Sequence, residues 1–176
     1  LLASSAASDV YKRQGEGRYT IPLTGGGWSL WLDKEASWQN DRLYLPHEIT
    51  DLSLLPVNVP TGGWHTLSHN PDAVPVEVPG TVEEYLTVTD NPRPENFRGV
   101  SWWYRKITIP ADQQKKRFII YFESVRMRAE VYLDGKLVAY DLIGETPFHV
   151  DITDEAKPGK EQLLAIRCLL YTSPSP

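Results

Sequence analysis

Four histidines, several neighbouring carboxylates and a cluster of tryptophans are the side chains with which this sequence could do chemistry. His65 and His69 are four residues apart, a spacing that aims two imidazoles at one metal only on a helix. They follow Pro60-Thr-Gly-Gly-Trp64, which reads as loop, and no cysteine stands near them. They are expected to be solvated loop histidines, with no metal and no cofactor. Glu83 with Glu84, and Asp151 with Asp154, are the candidate carboxylate pairs. Acid and nucleophile must project into one cleft at a set separation. Glu83 and Glu84 are adjacent, and Glu84 already has a capping task, so no catalytic residue is assigned. Ser101 is not on a nucleophile elbow, because Trp102-Trp103 continues a strand instead of turning into a helix. Gly25-Gly-Gly27 precedes a strand, the wrong side for a phosphate cradle. Trp28, Trp31, Trp102, Trp103 and Tyr104 remain. Flat indole faces suit the apolar faces of sugars, yet a β-sheet domain also needs large rings to fill its core. By alternation, one of Trp102 and Trp103 faces the core and the other faces solvent or a partner.

The elements that carry these residues have a period of two almost throughout. Trp28, Leu30 and Leu32 alternate with Ser29, Trp31 and Asp33, as in a strand. Pro75-Val-Glu-Val-Pro79 is a short strand bracketed by prolines, which fits a sheet edge. Val100 to Pro110 is a longer strand, with Val100, Trp102 and Tyr104 on one side and Trp103, Ile107 and Ile109 on the other. Phe118, Ile120 and Phe122 share one face. Ala129 to Leu133 and Lys136 to Tyr140 flank Asp134-Gly135, a pair suited to a type I′ hairpin turn. Phe148–Ile152 and Gln162–Ile166 supply two further strands. Helix signals are short: Thr81-Val-Glu-Glu84 is a capping box, and Thr153–Ala156 is a turn stopped by Pro158-Gly159. Seven to nine strands with few helices predict an all-β, two-sheet antiparallel sandwich of jelly-roll type. Residues 34–72 and 87–99 read as long irregular stretches, where binding residues usually sit.

The chain has 176 residues, enough for one self-sufficient domain and too few for a (β/α)₈ barrel. Its net charge of −5 and its lack of a Lys/Arg block argue against nucleic acid. No apolar run reaches the roughly 20 residues of a membrane helix. One cysteine forms no internal disulfide and does not fix the compartment. Both ends resemble translated sequencing-adapter sequence. The expected organisation is therefore a non-native tail at 1–14, a β-sandwich at 15–167 and a second tail at 168–176, the whole being a fragment of a longer protein.

Six stretches resemble the landmarks of one family, in order. They are Pro75-Val-Glu-Val-Pro-Gly-Thr81; Gly99-Val-Ser-Trp-Trp-Tyr-Arg-Lys-Ile-Thr-Ile-Pro110; Phe122-Glu-Ser-Val125; Ala129-Glu-Val-Tyr-Leu-Asp-Gly-Lys136; Thr146-Pro-Phe-His-Val-Asp-Ile-Thr153; and Leu164-Ala-Ile-Arg167. Together they are similar to the N-terminal, galactose-binding-like sugar-binding domain of glycoside hydrolase family 2, which includes β-galactosidases, β-mannosidases and β-glucuronidases. Asp134 stands where Asn is often found, Leu142-Ile-Gly144 replaces a common Gly-Gly pair, and 34–72 is long for the family.

The resemblance implies an accessory domain that packs on the catalytic barrel of a retaining exo-β-glycosidase, both catalytic glutamates lying on that barrel. It also implies a substrate-facing loop, Asp90 to Trp102. Asn91, Arg93, Asn96 and Arg98 would donate hydrogen bonds to sugar hydroxyls or a uronate carboxylate, with Trp102 and Trp103 beside them. The implied partner is a carbohydrate. Two other readings remain open: a free-standing carbohydrate-binding module with an exposed aromatic platform, and a purely structural sandwich of a surface protein.

Overall fold

In a computed structural model of the chain, residues 19–38, 51–86, 98–125 and 128–170 are described. Among them the period-two segments form eight strands: β1 (Gly25–Asp33), β2 (Val74–Val78), β3 (Gly99–Thr108), β4 (Ile119–Phe122), β5 (Arg128–Leu133), β6 (Lys136–Asp141), β7 (Phe148–Asp151) and β8 (Glu161–Leu170). Six make one antiparallel sheet in the order β2-β1-β3-β8-β5-β6, and β4 pairs with β7 in a second sheet. This is the antiparallel sandwich that the alternation called for. β2 lies at an edge, as its bracketing prolines require. Asp134 and Gly135 both take positive φ, 49° and 81°, which closes the β5–β6 hairpin.

The core between the sheets joins Leu30, Trp103, Val131 and Ile166 of the large sheet to Ile120, Phe122 and Val150 of the small one. One end of it is closed by α2 (Val82–Tyr85), whose capping box is formed by Thr81 and Glu84. The Tyr85 ring meets Trp103 edge-on, with centroids 6.4 Å apart.

The other face of the large sheet is covered too. Val100, Trp102, Tyr104, Tyr132, Ala165 and Leu169 form a second apolar cluster there, with Leu67 buried against them and Leu55 and Trp64 packed at its margin. The covering residues come from the 34–72 stretch, which is no open loop where it is described. From Asp51 onward it holds a 3₁₀ turn at Leu52–Leu54 and a one-turn helix, α1 (His65–His69). Two expectations are corrected here. His65 and His69 sit on a helix, with both side chains exposed. Trp102 and Trp103 are both buried, at 0% and 1% exposure, because a second layer lies over the face that alternation had left to solvent or a partner.

Three residues of the expected tail at 168–176 are part of the fold. β8 runs on to Leu170, pairing Cys168 with Ser101 and Ala129, and Leu169 with Val100 and Arg128. Cys168 and Leu169 are buried. Ending the chain after Arg167 therefore removes a buried leucine, worth about 1.5–3 kcal/mol, and the ladder beside it. Thermal unfolding should show the midpoint falling by roughly 4–10 °C. An unchanged midpoint would mean that β8 ends at Arg167.

Candidate functional site

Strand direction gathers one set of chain ends. β1 finishes at Asp33, β3 starts at Gly99, β5 starts at Arg128, β6 finishes at Asp141 and β8 finishes at Leu170. The register places them together: Asp33 lies beside Val100, Gly99 beside Leu170, Leu169 beside Arg128, and Ala129 beside Asp141. Arg98 and Arg128, the described residues that follow 87–97 and 126–127, therefore lie at one end of the large sheet. Arg98 stands at this end, exposed, immediately before six consecutive buried residues of β3. Asn91, Arg93 and Asn96 lie outside the described residues. Trp102 and Trp103 follow Arg98 closely in sequence, but their rings are buried on opposite faces of β3, and neither forms an open stacking platform.

A second polar constellation lies on the covered face of the large sheet. On β5, Arg128, Glu130 and Tyr132 share a face by alternation, and Glu130 pairs in register with Arg167 of β8. Glu130 is 1% exposed, and both arginines are 3% exposed. Its carboxylate accepts from Arg128, from Arg167 Nη1 at 3.1 Å, from Tyr132 Oη at 2.7 Å and from Asn58 Nδ2 at 2.9–3.0 Å. Burial first, then the charge of Glu130, raises the Tyr132 phenol above its usual range, so it acts here as a neutral donor. The tyrosine oxygen in turn accepts the Asn58 backbone N–H at 3.1 Å. Three residues on, the Thr61 N–H donates to Asp33 Oδ2 at 2.9 Å, and Trp102 Nε1 donates to the same oxygen at 3.2 Å. The Trp64 ring then lies against Trp102 and Tyr132, at centroid distances of 5.6 and 5.0 Å. Residues 58–64 are thus a strap fastened at two buried carboxylates.

These carboxylates hold structure and are poorly placed for hydrolysis. Glu130 already accepts from two guanidiniums, a phenol and an amide. Asp33 lies three strands away, on the order of 14 Å at ordinary strand spacing. The two carboxyls of a glycosidase site are about 5–9.5 Å apart. At the surface, Asp151 is held down at about 2 by Thr153 and then Arg117, so it is no general acid near neutrality. A groove of about 660 Å³ runs between residues 51–57 and β6, with Asp51, Asp134, Lys136 and Glu155 on its rim. Its polar groups are in use: Asp134 accepts from the Leu163 N–H and from Gln162, and Lys136 pairs with Glu155. Among the described residues, no three His, Cys, Asp or Glu side chains converge as metal ligands.

The Glu130 cluster was missed in the sequence. In Arg128-Ala-Glu-Val-Tyr-Leu133 the charged residues alternate with apolar ones, the usual mark of a solvent-facing edge. The available signal was Tyr132, a large ring on that same supposedly wet face.

The comparisons with known proteins agree with one another. The family model described as glycosyl hydrolases family 2, sugar binding domain, matches residues 25–175. A β-glucuronidase of Formosa agariphila is 35% identical over 71 residues, which is 40% of this chain and 7% of that protein. A β-galactosidase of Thermoanaerobacter pseudethanolicus is 36% identical over 74 residues, 42% of this chain and 10% of that protein. Among solved structures, the Faecalibacterium prausnitzii β-glucuronidase superposes with a TM-score of 0.59 at 29% identity, covering 90% of this chain and 22% of its own. The chain thus spans less than a quarter of each of these proteins.

Removing one partner from a buried ionic cluster leaves the others without compensation, at a cost of about 3–5 kcal/mol. Glu130→Ala should therefore lower the unfolding midpoint by roughly 6 °C or more, since two arginines lose their carboxylate. Asn58→Ala should cost about 1.5–3 kcal/mol and shift tryptophan emission to the red as the strap loosens over Trp64 and Trp102. A Glu130→Ala protein as stable as the parent would refute this description of the cluster.

Proposed function

This chain belongs to the glycosyl hydrolases of family 2, whose sugar-binding domain it is, and on that premise we propose that it serves as the accessory N-terminal domain of a retaining exo-β-glycosidase acting on β-glucuronides. The observation that carries the reading is the family match across residues 25–175, which takes in all eight described strands. A β-glucuronide substrate is favoured by the names of the relatives, above all the solved β-glucuronidase at 29% identity. The β-galactosidase match, at 36% over a shorter stretch, is the reason to test β-galactosides beside it. The catalytic carboxylates would reside on a barrel elsewhere in the polypeptide, against which this sandwich packs.

The domain's own contribution would come from the loop that enters β3. Arg98 is exposed at the sheet end where β3 and β5 start and β1, β6 and β8 finish, and Asn91, Arg93 and Asn96 precede it in the sequence. An arginine presents a rigid fork of donors that suits a carboxylate, and asparagine offers donors and acceptors to hydroxyls. Trp102 and Trp103 would serve substrate indirectly, by fixing the strand from which this loop departs.

The test needs the whole protein and the 176-residue chain side by side, each assayed on aryl β-glucuronides and aryl β-galactosides. The whole protein should hydrolyse the glucuronide in preference, and the chain alone should turn over neither. Hydrolysis by the chain that vanishes on substituting one of its own carboxylates would overturn the accessory role. A preference for galactosides would overturn the substrate. In the whole protein, Arg98→Ala and Asn96→Ala should lower kcat/KM by up to roughly a hundredfold while leaving it folded, as expected for losing a charged or neutral hydrogen bond to the substrate. Unchanged kinetics in both would leave the loop without a role in recognition.

A further inference from the structure

We propose that His65 and His69 form a two-imidazole clip for a divalent transition-metal cation of the Cu²⁺ or Zn²⁺ kind, and that the bound cation strengthens the layer covering the outer face of the large sheet. This goes beyond the function proposed above and does not depend on which glycoside the whole protein cleaves.

Four residues apart, two imidazoles reach one metal only from a helix, and α1 supplies that helix. Its turn is closed by the Thr66 N–H on the Gly63 carbonyl at 3.1 Å and by the Leu67 N–H on the Trp64 carbonyl at 3.3 Å. At about 100° per residue, His65 and His69 stand roughly 40° apart around the axis, with Leu67 opposite them. Burial agrees: Leu67 is seated against the sheet, and both histidines are exposed. Helical side chains lean toward the N-terminus. His69 does so, since its Nδ1 lies 3.3 Å from the His65 carbonyl oxygen. A carbonyl only accepts, so Nδ1 carries the proton and Nε2 keeps its lone pair. Metal-binding imidazoles are held in this way, one ring nitrogen tied to a carbonyl and the other directed at the metal. The His65 ring leans over Gly63, where a Cβ would come within 3.2 Å of its Nδ1. Among the described residues, no carboxylate pairs with either ring.

The donor set identifies the ligand. Neutral imidazole suits Cu²⁺, Zn²⁺ and Ni²⁺, whereas Mg²⁺ and Ca²⁺ take oxygen. One turn sets the two Cβ atoms about 5–6 Å apart, a gap that two rings and two metal–nitrogen bonds of roughly 2 Å close. With two protein ligands, water completes the coordination shell, so the site is open and weaker than a closed four-ligand one. Binding by both rings requires the turn to be helical. The same turn carries Leu67 and follows Trp64, which pack in the cluster around Trp102 and Tyr132. A cation that binds the folded form stabilises it by mass action, so the clip tightens this outer layer.

The test is a calorimetric titration of the full chain with CuCl₂, ZnCl₂ and MgCl₂ in a buffer that does not chelate. One equivalent of Cu²⁺ should bind, Zn²⁺ more weakly and Mg²⁺ not at all. His65→Ala and His69→Ala should each weaken Cu²⁺ binding about tenfold or more, while His149→Ala leaves it unchanged. The double variant should lose much less than the product of the two single losses, because one ring alone does not chelate. Excess Zn²⁺ should raise the unfolding midpoint of the parent by a few degrees and that of either single variant by less than half as much. Both side chains are exposed, so metal-free midpoints should stay within a few degrees of the parent. Full Cu²⁺ binding by either single variant would show an adventitious ion only. That result, losses that simply multiply, an unmoved midpoint, or no binding at all would each overturn the proposal. None of these outcomes bears on glycoside hydrolysis by the whole protein, so the two readings fail separately.

Discussion

Two tryptophans stand next to each other on β3, and in an extended strand consecutive side chains point to opposite faces. Both indoles are buried, so β3 must be covered on each side. That constraint organises the rest of the molecule. On the inner side the cover is the small β4–β7 sheet, whose Ile120, Phe122 and Val150 share one core with Trp103. On the outer side there is no second sheet among the described residues, and the cover is the chain segment from Leu55 to Leu67.

A segment without regular structure cannot hold itself in place by ladder bonds. Its polar groups must find partners in the surface it covers. Glu130 and Asp33 provide them, one on β5 and the other at the end of β1, so that the strap is fastened at both flanks of the Trp102 indole. The buried charge on Glu130 is tolerable because two arginines and a phenol share it. This ionic cluster fastens the strap to the sheet whose β3 begins just after Arg98.

Much of this was legible in the sequence, and for definite physical reasons. The eight strands show as period-two runs, the β5–β6 turn as Asp-Gly and the α2 start as Thr81 with Glu84, because each is fixed by local stereochemistry. What failed was whatever depended on a layer far away in the sequence. Trp102 and Trp103 were divided between core and surface because alternation assumes one wet face, and the strap removes it. Glu130 and its arginines looked like that wet face for the same reason. His65–His69 looked like loop because five residues carry no helical period, and the helix is held through Leu67 and Trp64 rather than by propensity. Cys168 to Leu170 looked foreign, yet an apolar tripeptide that continues β8 pairs regardless of its origin. Of the expected substrate-facing residues, Arg98 stands exposed just before β3, Trp102 and Trp103 are buried, and Asn91, Arg93 and Asn96 lie outside the described residues.

Amide hydrogen exchange on the intact chain tests the central claim most directly. The N–H groups of Asn58 and Thr61 lie outside helix and strand, and their acceptors are Tyr132 and Asp33. If the strap is the outer wall that β3 depends on, both amides should exchange nearly as slowly as those in the middle of β3. They should be far slower than that of Asp72, an exposed residue whose N–H donates to the Asn70 side chain. Asn58 and Thr61 amides that exchange at the rate of Asp72, while β3 stays protected, would contradict the account.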